Sequence, residues 1–551
     1  MKNFDNYKKL YDWKKPKNRT WMDNEITHAP IWCSVDLRDG NQALPNPMTI
    51  DEKIKFFDCL VGMGFKEIEI GFPAASETEY NFTRYLIENN KIPDDVKIQV
   101  LTQSREEIID KTFKAVEGAK NVIVHLYNST SPIQRDVVFN KSKNEVKQIA
   151  IDGAKLMNDY IKKYPQTNWY FEYSPESFST TEMDYAIEVI NAVLDVWKGH
   201  INTKPIINFP ATVECAMPNV FADQIEYVAE NITNRDNMII SIHSHNDRGT
   251  GVATSEMAIL AGADRIEGAL FGNGERTGNA DIMNIAMNMF VLGVDPELDF
   301  SHINEIKNIY ESCTKMEVGP RHPYAGELVF TAFSGSHQDA ISKGLKSIEK
   351  EKKDYWEVPY LPINPAHVNR QYEPIIRINS QSGRGGVSFI LENHYGYSIP
   401  KDMRKEVGYY IKNISDKKKK ELSNDEIVNY FNQEYKNRKD TIDIINYSIQ
   451  NNENDNSTIV NISFNQNSKP INISSSGNGP IDAFINAIRK VGYDFEFKDY
   501  IQKSNNDNSE KSKAITYINI QHDGRDIWAV GEDENIIKSS FNGIISAINR
   551  I

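Results

Sequence analysis

The chain has 551 residues, of which 40% are hydrophobic, and a formal net charge of −14 at pH 7. This length suggests about two to four domains of a soluble globular protein. The acidic balance argues against a nucleic-acid-binding surface, and no stretch approaches the ~20 apolar residues of a membrane span. The four cysteines are far apart and suggest neither a C-x-x-C metal site nor a disulfide framework, so we expect a cytoplasmic protein.

Eight short β-rich runs recur in the first half of the chain, separated by segments whose apolar residues recur three and four apart, as in amphipathic helices. The runs lie at 31–40, 66–74, 97–103, 121–130, 168–177, 204–214, 237–247 and 264–274. Eight strand–helix units within roughly 250 residues predict a (β/α)₈ TIM barrel of the α/β class. An open doubly wound sheet has the same local pattern and is the alternative.

The regular alternation fades after residue 300. Residues 326–435 contain helical-looking pieces, a Pro-rich stretch at 358–365 and a Gly-rich stretch at 379–391. No Lys-Ser/Thr pair follows the glycines, so the Gly-rich stretch favours a plain turn over a phosphate-binding loop. We interpret this region as small linker subdomains.

The pattern changes again near residue 436. Two amphipathic segments, 480–492 and 534–550, predict helices, and four alternating runs predict strands. These runs lie at 441–450, 457–465, 513–524 and 525–533. We therefore expect a C-terminal α+β domain. The predicted domains are an N-terminal extension (1–30), the barrel (31–325), the linker subdomains (326–435) and the C-terminal domain (436–551).

A His-Ser-His sequence ends the seventh run. Residues two apart in a strand point to the same side, so His243 and His245 would face one point. Two such imidazoles suit a metal ion, although hydrogen-bonded surface histidines would give the same sequence. Polar residues also end most of the other runs, where a TIM barrel places its active site, and this favours the metal. Asp39 would then complete a divalent-metal site with open positions for substrate and water.

Other polar residues at these run ends have more than one interpretation. Arg38 could support an oxygen that develops negative charge, or could simply pair with Asp39. Glu172 and Glu176 are both candidates for a general base, and the pattern favours neither.

The loop after the eighth run adds further candidates. Asn279 could reach the metal ion or a metal-bound water, and Glu275 and Arg276 could orient a histidine ligand. Alternatively, Asn279 caps a helix.

Long motifs along nearly the whole chain resemble the metal-dependent barrel condensing enzymes and lyases. Within that group they are similar to the longer branch of the 2-isopropylmalate synthase family. The motifs are DLRDGNQAL (36–44), EIGFPAAS (69–76), HLYNSTS (125–131), EYSPESFSTTE (172–182), PATVECAMPN (210–219), HSHNDRGTGVATS (243–255), EGALFGNGERTGNADI (267–282), FSGSHQDAI (333–341), NSQSGRGGV (379–387) and GNGPIDAFINAI (477–488).

The resemblance implies a Claisen-type condensation of acetyl-CoA with 2-oxoisovalerate, followed by thioester hydrolysis to 2-isopropylmalate and CoA, the committed step of leucine biosynthesis. It also implies one divalent cation, with Mg²⁺ expected and Zn²⁺ or Mn²⁺ as alternatives. The C-terminal domain would be a regulatory domain that binds leucine as a feedback inhibitor, and the enzyme would be a homodimer.

The same resemblance assigns roles to individual residues. The metal ligands would be Asp39, His243, His245 and Asn279. The catalytic residues would be Arg38, Glu176, His337 (usually contributed by the partner subunit) and Tyr372. The residues that face the 2-oxo acid would be His125, Ser174 and Thr212. The regulatory leucine site would include Gly477, Gly479 and Ile481.

Three alternative functions remain open at the level of sequence. A homocitrate or citramalate synthase would use the same chemistry on another 2-oxo acid. A metal-binding sensor with an inactive barrel is disfavoured by the full set of candidate catalytic residues. An HMG-CoA-lyase-like enzyme would carry a cysteine in the loop after the eighth strand, and GNGERTGNADI (272–282) has none.

Overall fold

A computed structural model of the chain describes residues 2–7, 15–332, 334–352, 354–372, 384–418, 422–452, 457–467, 469–504 and 513–551. The chain divides into two compact units, Met1–Val329 with Ile363–Gln371 and Phe330–Pro362 with Tyr372–Ile551. Among the described residues, no helix combines the length and hydropathy needed to cross a lipid bilayer.

The first unit is built on a closed barrel of eight parallel strands. They are β1 (Ile31–Ser34), β2 (Glu67–Gly71), β3 (Lys97–Gln103), β4 (Asn121–Ser129), β5 (Asn168–Glu176), β6 (Ile206–Ala211), β7 (Ile239–Ser244) and β8 (Arg265–Gly268). The barrel closes because β1 pairs in parallel with both β2 and β8. The closure confirms the predicted TIM barrel and excludes the open sheet. Each strand lies within one of the eight predicted runs.

Helices surround this barrel and close the unit. They are α1 (Ile50–Gly62), α2 (Glu77–Glu88), α3 (Glu106–Ala115), α4 (Lys143–Ile161), α5 (Met183–Trp197), α6 (Pro218–Asn231), α7 (Gly251–Leu260), α8 (Ile282–Val291) and α9 (Ile303–Thr314). Local sequence fixes several of their starts. Thr49 with Glu52 and Ser142 with Glu145 form reciprocal capping boxes at α1 and α4.

The strand residues alternate between an apolar outer face and a polar interior. In β2, Ile68 and Ile70 alternate with Glu67 and Glu69, and all four are buried. The interior carboxylates hydrogen-bond across the barrel, for example Glu67 with Arg265 of β8. The interior of this barrel is therefore ionic, where branched aliphatic side chains usually dominate.

The second unit begins with helices. They are α10 (Gly335–Glu351), α11 (Arg384–Tyr395), α12 (Met403–Lys418) and α13 (Asn424–Tyr435). Residues 384–391 of the Gly-rich stretch lie in α11, so the predicted turn is wrong there. Residues 379–383, the rest of that prediction, lie outside the described part of the chain.

The C-terminal part of this unit contains two three-stranded antiparallel sheets. One has the order β11 (Lys469–Gly477), β10 (Ser457–Gln466), β9 (Ile442–Asn452), and the other β12 (Glu496–Ser504), β13 (Ala514–His522), β14 (Arg525–Asp533). Helices α14 (Pro480–Lys490) and α15 (Ile536–Ile548) contribute to a core shared with both sheets. The four predicted strands and two predicted helices are confirmed. β11 and β12 were missed, because both are half-exposed edge strands with polar sequences.

Candidate active site at the mouth of the barrel

A cavity of about 420 Å³ opens at the carboxyl ends of the barrel strands. Ten of the residues singled out from the sequence line it: Arg38, Asp39, His125, Ser174, Glu176, Thr212, His243, His245, Glu275 and Arg276. The predicted gathering of these side chains at one end of the barrel is therefore confirmed, as expected for strands that end at the same face.

Asp39, His243 and His245 converge on one point of this cavity. Asp39 lies in a π-helical turn, Asp36–Gly40, directly after β1, whereas His243 is in β7 and His245 follows it. Asp39 Oδ2 is 3.2 Å from His243 Nε2 and 3.9 Å from His245 Nε2. One ligand atom from each residue lies within 4.8 Å of the others, and all three residues are buried. This donor set fits a divalent cation.

Unpartnered atoms support the same interpretation. Asp39 Oδ1, His245 Nδ1 and Asn279 Oδ1 are buried without a hydrogen-bond partner. Asn279 forms a backbone bridge with His245, and its Nδ2 donates to Asn273 O, which leaves Oδ1 free. Buried acceptors without partners are costly, and a bound cation would satisfy the free oxygens of Asp39 and Asn279. Asn279 does not cap α8; Asp281 does.

The surroundings of the three ligands set their charges. Burial raises the pKa of Asp39, but the positive Arg38 and the hydrogen bond from His243 outweigh burial and hold this pKa far below its ordinary value. Burial lowers the pKa of His243, but hydrogen bonds to Asp39 and Glu267 outweigh it and raise this pKa to about 9. Burial and the neighbouring His243 lower the pKa of His245 to about 4. Binding of a cation would therefore release a proton from His243.

Glu267 orients His243 and was missed by the sequence analysis. Its Oε2 accepts a hydrogen bond from His243 Nδ1 at 2.9 Å, which turns Nε2 toward Asp39. Glu275 and Arg276, proposed for this role, line the cavity but have other partners: Gln42 for Glu275 and Asp247 for Arg276. One sequence feature does indicate Glu267: it is the only carboxylate within the predicted strand RIEG (265–268).

Arg38 is held by two carboxylates. Its Nε donates to Glu69 Oε2 at 2.5 Å, and its Nη1 lies 3.3 Å from Asp39 Oδ2. Both charges raise the pKa of Arg38 against the opposing effect of burial, so the guanidinium stays charged. The predicted ion pair of Arg38 with Asp39 is therefore present, and it keeps a positively charged side chain at the cavity.

The remaining predicted cavity residues are each held by a hydrogen bond to a neighbouring group. His125 Nδ1 lies 3.0 Å from Glu69 Oε1, and His125 Nε2 lies 2.7 Å from Ser174 Oγ. Thr212 Oγ1 accepts from the backbone N–H of Ser177 at 2.9 Å. These contacts fix the orientation of the polar groups on one wall of the cavity.

The two glutamates of β5 differ in their surroundings. Glu176 lines the cavity and accepts a hydrogen bond from Ser129 Oγ. Glu172 is fully buried in the barrel interior and is not among the cavity residues. Of the two carboxyl groups, only Glu176 is therefore placed to meet a ligand directly.

His337 and Tyr372 belong to the second unit. His337 lies in α10, and its ring stacks on Tyr360 with the ring centroids 4.0 Å apart. Tyr372 directly precedes a segment that is outside the described residues. The catalytic roles given to both side chains stay predictions.

The three residues of the predicted leucine site lie around the start of α14. Gly477 ends β11, Gly479 is the N-cap of α14, and Ile481 is in its first turn. Asp482 Oδ2 accepts from the backbone N–H of Asn478 at 2.9 Å. The backbone N–H between the two glycines is therefore already occupied by a side chain.

Comparison with known proteins identifies the family. Residues 29–309 match the family described as HMGL-like, residues 327–392 the alpha-isopropylmalate synthase post-catalytic domain-like family, and residues 421–551 the LeuA allosteric (dimerisation) domain. The chain is 54% identical to the 2-isopropylmalate synthase of Clostridium acetobutylicum, with 99% of both chains covered. It is 52% identical to that of Acetoanaerobium sticklandii (99% and 97% covered) and 51% identical to that of Helicobacter hepaticus (100% of both). The chain belongs to the 2-isopropylmalate synthase family.

Proposed function

We propose that this chain condenses acetyl-CoA with 2-oxoisovalerate and hydrolyses the resulting thioester, giving 2-isopropylmalate and CoA. The observation that carries the proposal is the single cavity in which Asp39, His243 and His245 converge beside Arg38. Its support is the identity of about half of all residues, over the full chain, to relatives named for this activity.

Asp39, His243, His245 and Asn279 would hold the cation. A divalent ion there would act as a Lewis acid on the keto group of the substrate. We expect Mg²⁺, and Zn²⁺ or Mn²⁺ would also suit two imidazoles and a carboxylate.

Arg38 would stabilise the oxygen that gains negative charge as the new carbon–carbon bond forms. Glu69 and Asp39 hold its guanidinium in place, so little reorganisation is needed during the reaction. His125, Ser174 and Thr212 would orient the 2-oxo acid through their hydrogen-bonding groups.

A base must remove a proton from the acetyl-CoA methyl group so that its carbon can attack the keto carbon. Glu176, at the cavity wall, and His337, on the second unit, are the two candidates. Tyr372 would act near the same site. Water then cleaves the thioester, and CoA leaves as the thiol.

The proposal extends to organisation and regulation. We assign residues 31–325 to the catalytic domain, 326–435 to linker subdomains and 436–551 to a regulatory domain, with 1–30 as an extension. Leucine would inhibit the enzyme by binding near Gly477, Gly479 and Ile481. The enzyme would be a cytoplasmic homodimer, and the match of residues 421–551 to an allosteric dimerisation domain supports the dimer.

The test is the release of CoA thiol from acetyl-CoA with a divalent cation and a panel of 2-oxo acids. We expect the fastest release with 2-oxoisovalerate, loss of release with a chelator, and a lower rate with leucine. Preference for 2-oxoglutarate or pyruvate would instead identify a homocitrate or citramalate synthase. No release with any 2-oxo acid, in protein that still binds the cation, would favour a sensor.

A further inference from the structure

The barrel interior beneath the cavity holds more carboxyl groups than positively charged side chains. Four glutamates, Glu67, Glu69, Glu172 and Glu267, are fully buried there. Three of them accept hydrogen bonds from charged donors: Glu67 from Arg265 and Lys97, Glu69 from Arg38, and Glu267 from Arg265. Neither carboxyl oxygen of Glu172 accepts a hydrogen bond from a donor group. Its side chain does contact the carboxyl group of Glu267, and such a contact is a hydrogen bond only when one of the two carboxyl groups carries a proton.

The contacts of Glu172 favour a neutral carboxylic acid. Its Oε1 is 3.4 Å from His125 Nε2, and its Oε2 is 3.4 Å from Arg265 Nη2. An ionised carboxylate buried without a hydrogen-bond donor costs far more free energy than a protonated carboxyl group at the same place. Burial and then Glu267 raise the pKa of Glu172 well above its ordinary value, and outweigh Arg265. The charged and titratable groups that face Glu172 from neighbouring strands are Cys33, Glu69, His125, Arg265 and Glu267.

A second metal ion is the alternative explanation for this cluster. Ligand atoms of His125, Glu172 and Glu267 do lie within 4.8 Å of one another. However, both oxygens of Glu267 are already used, by Gln99 and Arg265 at Oε1 and by His243 and Asn208 at Oε2. The guanidinium of Arg265 would also repel a second cation. A proton on Glu172 explains why this carboxyl group is buried beside Glu267 and His125, and it requires neither a free oxygen on Glu267 nor a second cation next to Arg265.

His125 links this buried acid to the cavity. Its Nδ1 faces the carboxylate of Glu69 at 3.0 Å and therefore carries a hydrogen. Its Nε2 lies between Glu172 Oε1 and Ser174 Oγ, and Ser174 lines the cavity. Asn208 Nδ2 donates to the same Ser174 oxygen at 3.0 Å.

The protonation of His125 Nε2 sets the direction of the Ser174 hydroxyl. When Nε2 has no hydrogen, it accepts the O–H of Ser174, and this hydrogen is then not available to a ligand. When Nε2 is protonated, it donates to Ser174 Oγ, and the hydroxyl hydrogen is free to turn toward a ligand.

We propose that Glu172, His125 and Ser174 form a proton relay that protonates the alkoxide produced by the condensation proposed above. The proton of Glu172 moves to His125 Nε2, and the Ser174 hydroxyl turns to the cavity. The O–H bond of Ser174 then breaks, its proton goes to the alkoxide oxygen, and His125 Nε2 returns a proton to Ser174 Oγ. Glu172 is left as a carboxylate and is reprotonated by the proton that thioester hydrolysis releases. Glu172 acts through His125 and is a positioning residue; Ser174 touches the substrate.

The first test is infrared spectroscopy of the full chain with Mg²⁺ near neutral pH. Burial also raises the pKa of Asp36 to about 7, so the comparison is the difference spectrum between the unmodified protein and Glu172→Gln, in which Asp36 cancels. We expect that difference to contain the C=O stretch of one protonated carboxyl group, shifted in D₂O. Asp223→Asn is the matched control, because Asp223 is equally buried but accepts hydrogen bonds from Arg19 and Trp21. The Asp223→Asn difference spectrum should lack this band. A Glu172→Gln difference spectrum that also lacks it would overturn the relay.

The second test is the kinetics of CoA release. Glu172→Gln should lower kcat about 10²-fold, the usual contribution of proton transfer, with little change in KM for the 2-oxo acid. Glu172→Gln combined with Ser174→Ala should be no slower than Ser174→Ala alone, because both changes remove the same step. Unchanged kcat in Glu172→Gln, or additive losses, would refute the relay.

The two proposals fail in distinguishable ways. If the unmodified protein releases no CoA with any 2-oxo acid, the proposed condensation is wrong, and the infrared band still decides whether Glu172 stores a proton. If the unmodified protein is active and Glu172→Gln is equally active, the condensation stands and the relay is wrong.

Discussion

His243 Nδ1 lies 2.9 Å from Glu267 Oε2, and this contact determines which ring nitrogen of the histidine faces the candidate metal site. The two residues are directly opposite each other in the pairing of β7 with β8. Because a hydrogen-bonded carboxylate fixes the tautomer of a histidine and makes it a better ligand, Glu267 should tune the affinity of the site for its cation.

We expect Glu267→Gln to weaken binding of Mn²⁺ by about 10- to 100-fold, as losses of such partners typically do. The amide can no longer offer a negative charge to His243 Nδ1. Titration calorimetry with the full chain measures the effect directly. Glu275→Gln is the control, since Glu275 lines the same cavity and contacts Gln42 instead of His243. Equal losses in both variants would mean that Glu267 has no special role.

Arg38→Lys should lower kcat for CoA release by about 10²- to 10³-fold, the range seen when one oxyanion donor is removed. A lysine ammonium cannot reproduce the planar fork by which Arg38 contacts both Glu69 and Asp39. Steady-state kinetics with acetyl-CoA and the 2-oxo acid measure the effect. Arg276→Lys should lower kcat much less, because Arg276 pairs with Asp247 at the rim of the cavity. A comparable loss there would argue against a specific role for Arg38.

The barrel could be predicted because its strands and helices leave a local signal. His243 and His245 are two apart in one strand, and their shared side follows from strand geometry alone. Asp39 and Arg38 could be placed nearby because parallel strands of a barrel all end at one face.

Other features depend on relationships that no local pattern records. Glu267 lies 24 residues from His243, and only the strand register brings the two together. The residue pattern alone also leaves the choice between Glu172 and Glu176 open, and only the resemblance to the family favours Glu176. Both belong to β5, and their depth in the barrel distinguishes them. Strands β11 and β12 were missed because edge strands carry polar side chains that hide the alternation.

A buried lysine supports the turn that carries Arg38 and Asp39. Lys53 Nζ donates to Leu37 O at 3.0 Å and to Glu79 Oε1 at 2.5 Å. Lys53→Met would leave both acceptors without this donor, and we expect a loss of ~3–5 kcal/mol in the free energy of unfolding of the first unit. Urea denaturation followed by tryptophan fluorescence measures it.

Lys66→Met is the matched control for Lys53→Met. Lys66 pairs with Asp95 at the same N···O distance, 2.5 Å, but both side chains are more than half exposed. Its loss should cost much less than the loss of Lys53, because solvent screens an exposed ion pair. Equal costs for the two variants would show that burial of Lys53 does not matter.

Asp36 should make stability fall as pH rises, the opposite of most carboxylates. Burial raises its pKa to about 7, against the effect of hydrogen bonds from Ser34 and Leu270 N–H. The folded state therefore binds this proton more tightly than the unfolded state between the ordinary pKa and about 7, and each pH unit in that window removes at most about 1.4 kcal/mol.

Asp36→Asn isolates this effect, because an amide is neutral at every pH and keeps an acceptor for Leu270 N–H. We expect the variant to be more stable than the unmodified protein above neutral pH, and the difference to shrink as pH falls toward 4. Urea midpoints measured across this range test the sign. A variant that is less stable at high pH and not at low pH would contradict a protonated Asp36.

Asp482 should weaken inhibition by leucine if the start of α14 binds the amino acid as proposed. Its carboxylate accepts from Asn478 N–H and adds a negative charge where the ligand carboxylate would bind. We expect Asp482→Ala to lower the leucine concentration that halves the rate of CoA release.

Asp482→Asn separates the two causes, because the amide oxygen keeps the hydrogen bond but not the charge. If repulsion dominates, both variants become more sensitive; if occupancy of the N–H dominates, only the alanine variant does. An alanine variant with unchanged or weaker inhibition would place the leucine site elsewhere.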